Sequence, residues 1–229
     1  MDSIRENWLV LRERIARAAD ASGRQSDDIE VVAVSKTRSA AEIDAAYACG
    51  LRIVGENRVQ EAEGKKDAVE SPVSWHMIGH LQSNKTGKAI ELFDVVQSVD
   101  RLSLAQALAR RAEGAGRCLD VLLQVNTAGS ASQSGADPER VCELAEQVAA
   151  LSSLRICGLM TIGAHSTDEC LVRDSFARLR RLGEEVEAAG LEGVQMRHLS
   201  MGMSGDFEWA IAEGSNLLRL GTALFGARS

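Results

Sequence analysis

The sequence is poor in the features that mark disulfide-linked, zinc-binding and membrane-spanning proteins. Five of its 229 residues are cysteine and two are proline, and no Cys-x-x-Cys pair occurs. An odd number of scattered thiols argues against a disulfide framework or a zinc ribbon. No apolar run approaches the ~20 residues that a membrane span needs, and the charged start lacks the apolar core of a signal peptide. We therefore expect a cytoplasmic protein with reduced cysteines and no contact with a membrane.

The charge balance excludes a broad class of partners. Lys and Arg number 26 against 33 Asp and Glu, which gives a net charge of -7. A nucleic-acid binder needs clustered cations for its phosphate contacts, so we expect no nucleic-acid partner, although a small anion could still be held locally. Apolar residues make up 45% of the chain, and no Gly/Ser-rich linker divides it. We therefore expect one folded domain over residues 1–229 with a sizeable core.

Apolar runs and helical patterns alternate along the chain. An apolar stripe at helical spacing predicts an N-terminal helix over residues 1–23. Ser39 and Glu42 have the spacing of a capping box at the start of another helix. Eight short apolar runs follow the first helix, and we interpret them as strands. They cover residues 29–36, 52–57, 74–80, 93–99, 119–127, 154–162, 194–201 and 216–222.

These runs favour a parallel sheet closed into a barrel. Segments 31–34 and 121–125 are nearly continuously apolar, as are strands buried on both faces of a parallel sheet. Eight strand–helix alternations at regular spacing predict a (β/α)8 TIM barrel with an extra N-terminal helix. The competing fold is a doubly wound open sheet, but no Gly-x-Gly-x-x-Gly follows the first strand.

Lys36 is the first candidate for chemistry, because barrels place their sites at the carboxyl ends of the strands. Strand alternation puts Val32, Val34 and Lys36 on one face, which in a barrel can be the interior. An amine at the inner rim is partly desolvated, which favours its neutral form, and a neutral amine attacks aldehydes to form imines. The competing interpretation is a surface lysine just past the end of the strand.

The last two runs end in loops suited to an anion. Residues 199–204 and 218–222 both combine glycine with hydroxyl side chains, and barrels often hold phosphate on backbone N–H groups after strands seven and eight. In the alternative interpretation, Gly202 and Gly221 only allow tight turns. Ser204 is expected to cap a helix that runs through Trp209.

Arg219 shares the parity of Gly221 and is predicted to point into the barrel, where its fixed charge needs an acidic side chain or a ligand atom. We call the two anion-binding loops, residues 199–204 and 218–222, the phosphate cup. An imine-forming lysine, this cup and the arginine together imply a phosphorylated aldehyde as the ligand. Pyridoxal 5'-phosphate is the obvious candidate, and a sugar-phosphate aldolase is the alternative. His76 and His80 share strand parity but lie about 13 Å apart along an extended strand, too far for one metal ion. We expect no metal site.

Eight segments occur in one order and together are specific for a known family. They are VVAVSKTRS at 31–39, GENRVQEA at 55–62, HMIGHLQSNK at 76–85, VQSVDR at 96–101, QVN at 124–126, GLMTI at 158–162, LSMGMSGDFEWAIAEGSN at 199–216 and RLGTALFGAR at 219–228. In these segments the sequence resembles the YggS/PROSC family of pyridoxal phosphate homeostasis proteins. The resemblance implies a fold-type III barrel that binds pyridoxal phosphate and is built like the N-terminal domain of alanine racemase.

Carried over by motif, the resemblance assigns cofactor-binding roles to one set of residues. The set is Lys36, Asn57, His80, Ser200, Gly202, Arg219, Gly221 and Thr222. The lysine would form the Schiff base, and the arginine would face the pyridine nitrogen. The serine, the threonine and the two glycines would hold the phosphate, and Asn57 and His80 would line the rim near the ring. A cation beside the pyridine nitrogen keeps it unprotonated and weakens the cofactor as an electron sink.

Four positions depart from the family pattern. Arg38 and Gln133 stand where relatives often have lysine, and neither side chain can form an imine. Gly163 follows GLMTI in place of proline, and Gly205 interrupts a Ser-Asp-Asp motif. We expect none of these to touch Lys36 or the phosphate cup, so cofactor binding should be retained.

The resemblance leaves two functions to weigh. One is a non-catalytic homeostasis protein that stores or delivers pyridoxal phosphate and affects amino-acid and keto-acid balance. The other is a pyridoxal-phosphate-dependent amino-acid racemase, which needs a second acid/base on the opposite face of the ring. Alanine racemase takes that group from a tyrosine of an additional C-terminal domain, which we do not expect here, and Tyr47 is predicted to lie in a helix away from the barrel mouth. We favour the homeostasis protein, with pyridoxal-phosphate-dependent apo-enzymes as candidate partners and a monomer or weak dimer as the assembly.

Overall fold

In the computed structural model, which describes residues 2–131 and 133–227, eight parallel strands close into a barrel. The strands are β1 (Glu30–Val34), β2 (Ile53–Glu56), β3 (Ser74–Met77), β4 (Val95–Val99), β5 (Leu119–Gln124), β6 (Leu154–Met160), β7 (Val194–Ser200) and β8 (Leu217–Leu220). Each strand pairs with the next along the chain, and β8 returns to β1 with Arg219 opposite Val32. The predicted (β/α)8 barrel is therefore confirmed, and closure excludes the doubly wound open sheet.

Helices surround the barrel and connect its strands. They are α1 (Asp2–Ala21), α2 (Ala40–Ala48), α3 (Val59–Glu63), α4 (Thr86–Leu92), α5 (Leu102–Gly114), α6 (Val141–Ala149), α7 (Glu169–Ala188), α8 (Phe207–Ala212) and α9 (Thr222–Phe225), with short 3-10 turns at Ser26–Asp28, Lys66–Ala68, Ser83–Lys85 and Pro138–Arg140. The predicted capping box begins α2, where the Ser39 hydroxyl accepts a hydrogen bond from the Glu42 N–H and the Glu42 carboxylate accepts one from the Ser39 N–H. Within the described ranges, no helix is long and apolar enough to cross a membrane.

The extra N-terminal helix packs on the outside of the barrel. Met1, Ser132, Arg228 and Ser229 lie outside the described residues, so the first residue of the predicted helix 1–23 and the last of the 219–228 motif are not covered. The apolar stripe of α1 is buried in one cluster with residues of α8 and α9. Its fully buried leucine and isoleucine side chains each contribute about 1.5–3 kcal/mol through the hydrophobic effect. This packing explains why the stripe is present.

The inside of the barrel changes from apolar to polar toward the carboxyl ends of the strands. Val32, Ile53 and Leu122 belong to an apolar cluster in the interior, together with Leu217. Two residues further along β8, Arg219 is buried in the same interior. The strands are shorter than the predicted runs, so several predicted site residues lie in the loops that follow them. The barrel mouth formed by these loops is the place where side chains with chemistry gather.

Candidate functional site

A cavity of about 420 Å³ opens at the carboxyl ends of the strands. Six of the eight predicted site residues line it: Lys36, Asn57, His80, Arg219, Gly221 and Thr222. The volume lies within the ~300–1,000 Å³ that is usual for small-molecule sites. Residues from the loops after β1, β2, β3, β7 and β8 therefore meet at one pocket, as the barrel geometry requires.

Lys36 stands two residues after the end of β1 and is half-buried in the cavity wall. Val34 lines the same cavity, and Val32 is fully buried below it, as strand alternation predicted. Within the described residues, the Lys36 amine makes no hydrogen bond and no ion pair. An amine without a partner is available to a ligand, whereas a paired one would first have to be released.

Another part of the cavity wall presents backbone donors. The N–H groups of Ser204, Gly205, Gly221 and Thr222 form no hydrogen bond among the described residues, and all four residues line the cavity. The Ser204 hydroxyl accepts a hydrogen bond of 3.2 Å from the Ala223 N–H, which ties the loop after β7 to the start of α9. Unpaired N–H groups of residues that line one pocket are suited to an anion, because each one must otherwise find water.

Ser204 and Gly205 were not among the predicted site residues. The prediction that Ser204 caps the following helix is wrong, because α8 begins at Phe207 with Asp206 at its N-cap position. The Asp206 carboxylate accepts a hydrogen bond of 2.6 Å from the Met203 N–H, and burial raises the pKa of this carboxyl. Gly205, expected to stay clear of the phosphate cup, lines the cavity instead. The signal for both residues was their position in the glycine- and hydroxyl-containing loop after β7.

Ser200 and Gly202 are not brought to the cavity wall. Ser200 is the last residue of β7 and is fully buried inside the barrel. Gly202 has a φ of 91°, and a Cβ at this position would come within 2.6 Å of the Ala210 Cβ. Its lack of a side chain therefore allows α8 to pack closely against the loop. A direct role of either residue in phosphate binding stays a prediction that this geometry does not favour.

Arg219 is 5% exposed and is held by neutral acceptors. Its guanidinium donates to the Ser200 hydroxyl at 2.8 Å and to the Thr161 carbonyl at 2.7 Å. Burial lowers the pKa of Arg219 to about 10, and the nearby Asp206 carboxylate opposes the shift. The guanidinium therefore remains protonated near neutral pH while it lines the cavity.

Asn57 and His80 form the rim on the β2 and β3 side. A Cβ on Gly79 would lie 2.7 Å from the Asn57 Cα, so glycine is what lets the two loops touch. The His80 side chain is half-exposed, and its Nδ1 lies 3.9 Å from a carboxylate oxygen of Asp100. Both rim residues also border an adjoining groove of about 720 Å³ that includes Lys85. Asn57 and His80 thus stand at the rim of the cavity, and their contact with a bound ring stays a prediction.

The two positions where relatives often carry lysine have structural contacts here. Arg38 donates hydrogen bonds to the Glu42 carboxylate at 3.2 Å and to the Gly226 carbonyl at 2.6 Å. Gln133 donates one of 2.9 Å to the Gly163 carbonyl and so joins the loops after β5 and β6. Neither residue lines the Lys36 cavity. Among the described residues, no group of three His, Cys, Asp or Glu side chains could hold a metal ion.

Comparison with known sequences agrees with this geometry. The family model for the alanine racemase N-terminal domain matches residues 1–229. A pyridoxal phosphate homeostasis protein of Pseudomonas aeruginosa is 46% identical over 229 residues, which are 100% of this chain and 97% of the relative. A protein of the same name from Aquifex aeolicus is 39% identical over 217 residues, which are 94% of each chain.

Solved structures give the same result. PipY of Synechococcus elongatus, determined with pyridoxal phosphate bound, has a TM-score of 0.85 at 36% identity over 97% of this chain and 100% of that one. An alanine racemase of Clostridium difficile has a TM-score of 0.81 at 14% identity and shows the common fold; the match covers 57% of that protein. The fold and the site define a barrel of the alanine racemase N-terminal class. Within that class, the chain belongs to the family of pyridoxal phosphate homeostasis proteins, which confirms the resemblance seen in its motifs.

Proposed function

We propose that this chain binds pyridoxal 5'-phosphate at the barrel mouth through Lys36 and serves cofactor homeostasis by storage or delivery. The observation that carries the proposal is the pairing of an unengaged amine with unpaired backbone donors in one cavity. Lys36 supplies the amine, and the N–H groups of Ser204, Gly205, Gly221 and Thr222 supply the donors. The names of the relatives and the ligand bound to PipY support it.

The residues present fit this cofactor. When bound, pyridoxal phosphate supplies an aldehyde with which a neutral lysine amine condenses, with loss of water. Lys36 supplies an amine to the cavity, and the unpaired N–H groups can donate hydrogen bonds to a phosphate there. Arg219 adds a fixed cation to the same cavity. Each part of this small molecule thus has a matching group in the cavity: the Lys36 amine for the aldehyde, Arg219 for the nitrogen-containing ring, and the backbone N–H groups for the phosphate.

The same residues favour a carrier over a catalyst. Arg219 stays protonated and cannot give up its proton easily, so a ring nitrogen beside it remains unprotonated and withdraws electrons weakly. Tyr47 lies on α2, where the Arg52 guanidinium stacks on its ring at 4.1 Å, and it does not line the cavity. Among the described residues that line the cavity, His80 is the remaining side chain of an acid/base type besides Lys36 and Arg219, and it stands half-exposed at the rim. A two-base racemase would depend on His80 for its second group.

Trapping the covalent link tests cofactor binding. The protein is incubated with pyridoxal phosphate, reduced with borohydride, digested and mapped by mass spectrometry. We expect the adduct on Lys36, its loss in Lys36→Ala, and its retention in Lys88→Ala, a matched surface variant on α4. An adduct on a different lysine in the wild-type protein, or none, would overturn the proposal.

Two further measurements separate carrier from enzyme. Incubation of the loaded protein with L-alanine is expected to give little D-alanine, and fast turnover would establish the racemase. Reactivation of a pyridoxal-phosphate-dependent apo-enzyme by the loaded protein, compared with Lys36→Ala incubated with the cofactor in the same way, tests delivery to such partners. Location in the cytoplasm and a monomeric or weakly dimeric state remain predictions for fractionation and sedimentation experiments.

A further inference from the structure

A buried ion pair braces the strand end that carries Lys36. Glu56, the last residue of β2, is 0% exposed, and Lys65 follows α3. The Lys65 amine donates hydrogen bonds of 2.9 Å to the Glu56 carboxylate and of 2.9 Å to the Ser35 carbonyl. The Ser35 hydroxyl donates to the same carboxylate oxygen at 2.5 Å. None of the three residues lines the cavity, so the pair does not contact a ligand bound there.

These contacts act on the peptide bond that leads into Lys36. The Ser35 carbonyl belongs to that peptide and also accepts a hydrogen bond of 2.9 Å from the Arg38 N–H, which closes a turn. Inside the turn, Thr37 has a φ of 65°, a left-handed conformation that is strained for a β-branched residue. The Thr37 N–H donates to Glu61 at 3.2 Å. The backbone on both sides of Lys36 is therefore fixed by β2 and α3.

Stability alone does not explain this pair. Desolvation of two charged groups offsets much of their attraction, and a well-packed apolar pair in the same place is often at least as stable. The second carboxylate oxygen of Glu56 is buried without a hydrogen-bond partner among the described residues, which adds to the cost. Costly buried contacts of this kind occur where a fixed geometry matters, and Lys36 is the neighbouring residue that requires one.

We propose that Glu56 and Lys65 are positioning residues that hold the Lys36 amine for covalent attachment of a phosphorylated aldehyde. This inference rests on the proposed function. In the attachment, the Lys36 nitrogen bonds to the carbonyl carbon, and the carbonyl oxygen leaves as water with the two protons of the neutral amine. The rate and extent of that step depend on the placement of the amine, because small displacements of reacting atoms are costly. Glu56 and Lys65 do not touch the ligand and act through the Ser35–Lys36 peptide.

An aldehyde and an alcohol of the same shape separate positioning from binding. Pyridoxal 5'-phosphate can attach to Lys36, whereas pyridoxine 5'-phosphate carries the same ring and phosphate but an alcohol that cannot. In Glu56→Ala we expect the concentration of the aldehyde at half-saturation to rise by about tenfold or more, and the share of trapped adduct on Lys36 to fall. Binding of the alcohol, measured by calorimetry, should change by less than about twofold. Glu56→Gln keeps an oxygen acceptor for Ser35 and Lys65 and is expected to restore most of the attachment.

The outcomes distinguish this inference from the proposed function. Two results in a folded Glu56→Ala would overturn the positioning role alone. One is an equal loss of affinity for the aldehyde and the alcohol, and the other is unchanged attachment of the aldehyde. A wild-type protein without an adduct on Lys36 would overturn both. Circular dichroism reports whether each variant folds. Should Glu56→Ala not fold, the double variant Glu56→Gln/Lys65→Met replaces it, because it leaves no unpaired buried charge. We expect the same result in that variant: weaker attachment of the aldehyde and unchanged binding of the alcohol.

Discussion

The Arg219 guanidinium donates a hydrogen bond of 2.8 Å to the Ser200 hydroxyl inside the barrel. Ser200 in turn donates to the Gln97 side-chain oxygen at 2.6 Å, and the Gln97 amide donates to Nδ1 of His76 at 2.8 Å in the tautomer that satisfies both. This line of buried side chains fixes the guanidinium from the barrel interior. We interpret Ser200 as a residue that orients Arg219 and that does not itself contact phosphate.

Removal of the Ser200 hydroxyl is expected to destabilise the fold. In Ser200→Ala, buried donors of Arg219 and a buried acceptor of Gln97 lose a partner, which costs roughly 1–3 kcal/mol of unfolding free energy. Urea unfolding measures the loss. Ser103→Ala on the exposed side of α5 is the control and should stay within about 0.5 kcal/mol of wild type. A variant at position 200 as stable as the control would contradict the network.

His76 makes stability depend on pH. Burial is the main cause that lowers the pKa of His76, to about 3 from its usual 6.5, and a smaller contribution comes from His198. Between these values the unfolded chain binds a proton that the folded protein does not. The part of the unfolding free energy that comes from keeping His76 neutral is therefore fully present above pH 6.5. It is lost as the pH falls toward 3, by up to about 1.4 kcal/mol per pH unit.

Unfolding at several pH values tests this dependence. His76→Gln removes the titrating group and keeps an acceptor for Gln97, so the loss of stability on acidification should become shallower. His165→Gln, at an exposed loop position, should keep the wild-type slope. An unchanged slope in His76→Gln would show that the histidine is not buried and neutral.

Much of the fold and of the site could be predicted from the alternation of side chains along the strands. This alternation placed Lys36 and Arg219 on the inner side of the barrel, because side chains of period two must face either the interior or the helices. The eight apolar runs gave the number and order of the strands. These features follow from burial of the sheet on both faces, which leaves a strong signal in the sequence.

Loop geometry could not be predicted in the same way. Ser200 and Ser204 are both hydroxyl residues near the end of β7, but one is the last strand residue inside the barrel and the other reaches the mouth four positions later. The path between them depends on the packing of α8 against Gly202, a tertiary contact without a local pattern. The same holds for the bracing of Ser35 by Lys65, which are 30 residues apart.

Contact between the loops after β2 and β3 requires glycine at position 79. A Cβ there would lie 2.7 Å from the Asn57 Cα, so Gly79→Ala must push two backbones apart, at a cost of about 3 kcal/mol. Thermal or urea unfolding measures the change. In Gly114→Ala, at the end of α5, the added methyl group meets nothing within 4 Å, and we expect it to be neutral or to stabilise by up to about 1 kcal/mol. Equal stability of the two variants would refute the close approach.

The phosphate is expected to provide a large part of the affinity. Pyridoxal has the aldehyde and the ring but no phosphate, so it can react with Lys36 without using the N–H groups of Ser204, Gly205, Gly221 and Thr222. Hydrogen bonds to a charged group contribute about 1.5–3 kcal/mol each, so pyridoxal should need at least roughly 100-fold higher concentration for half-saturation. Absorbance titration of wild-type protein with each aldehyde measures the ratio, and inorganic phosphate should compete with pyridoxal phosphate but not with pyridoxal. Similar affinity for the two aldehydes would show that the loops after β7 and β8 do not hold the anion.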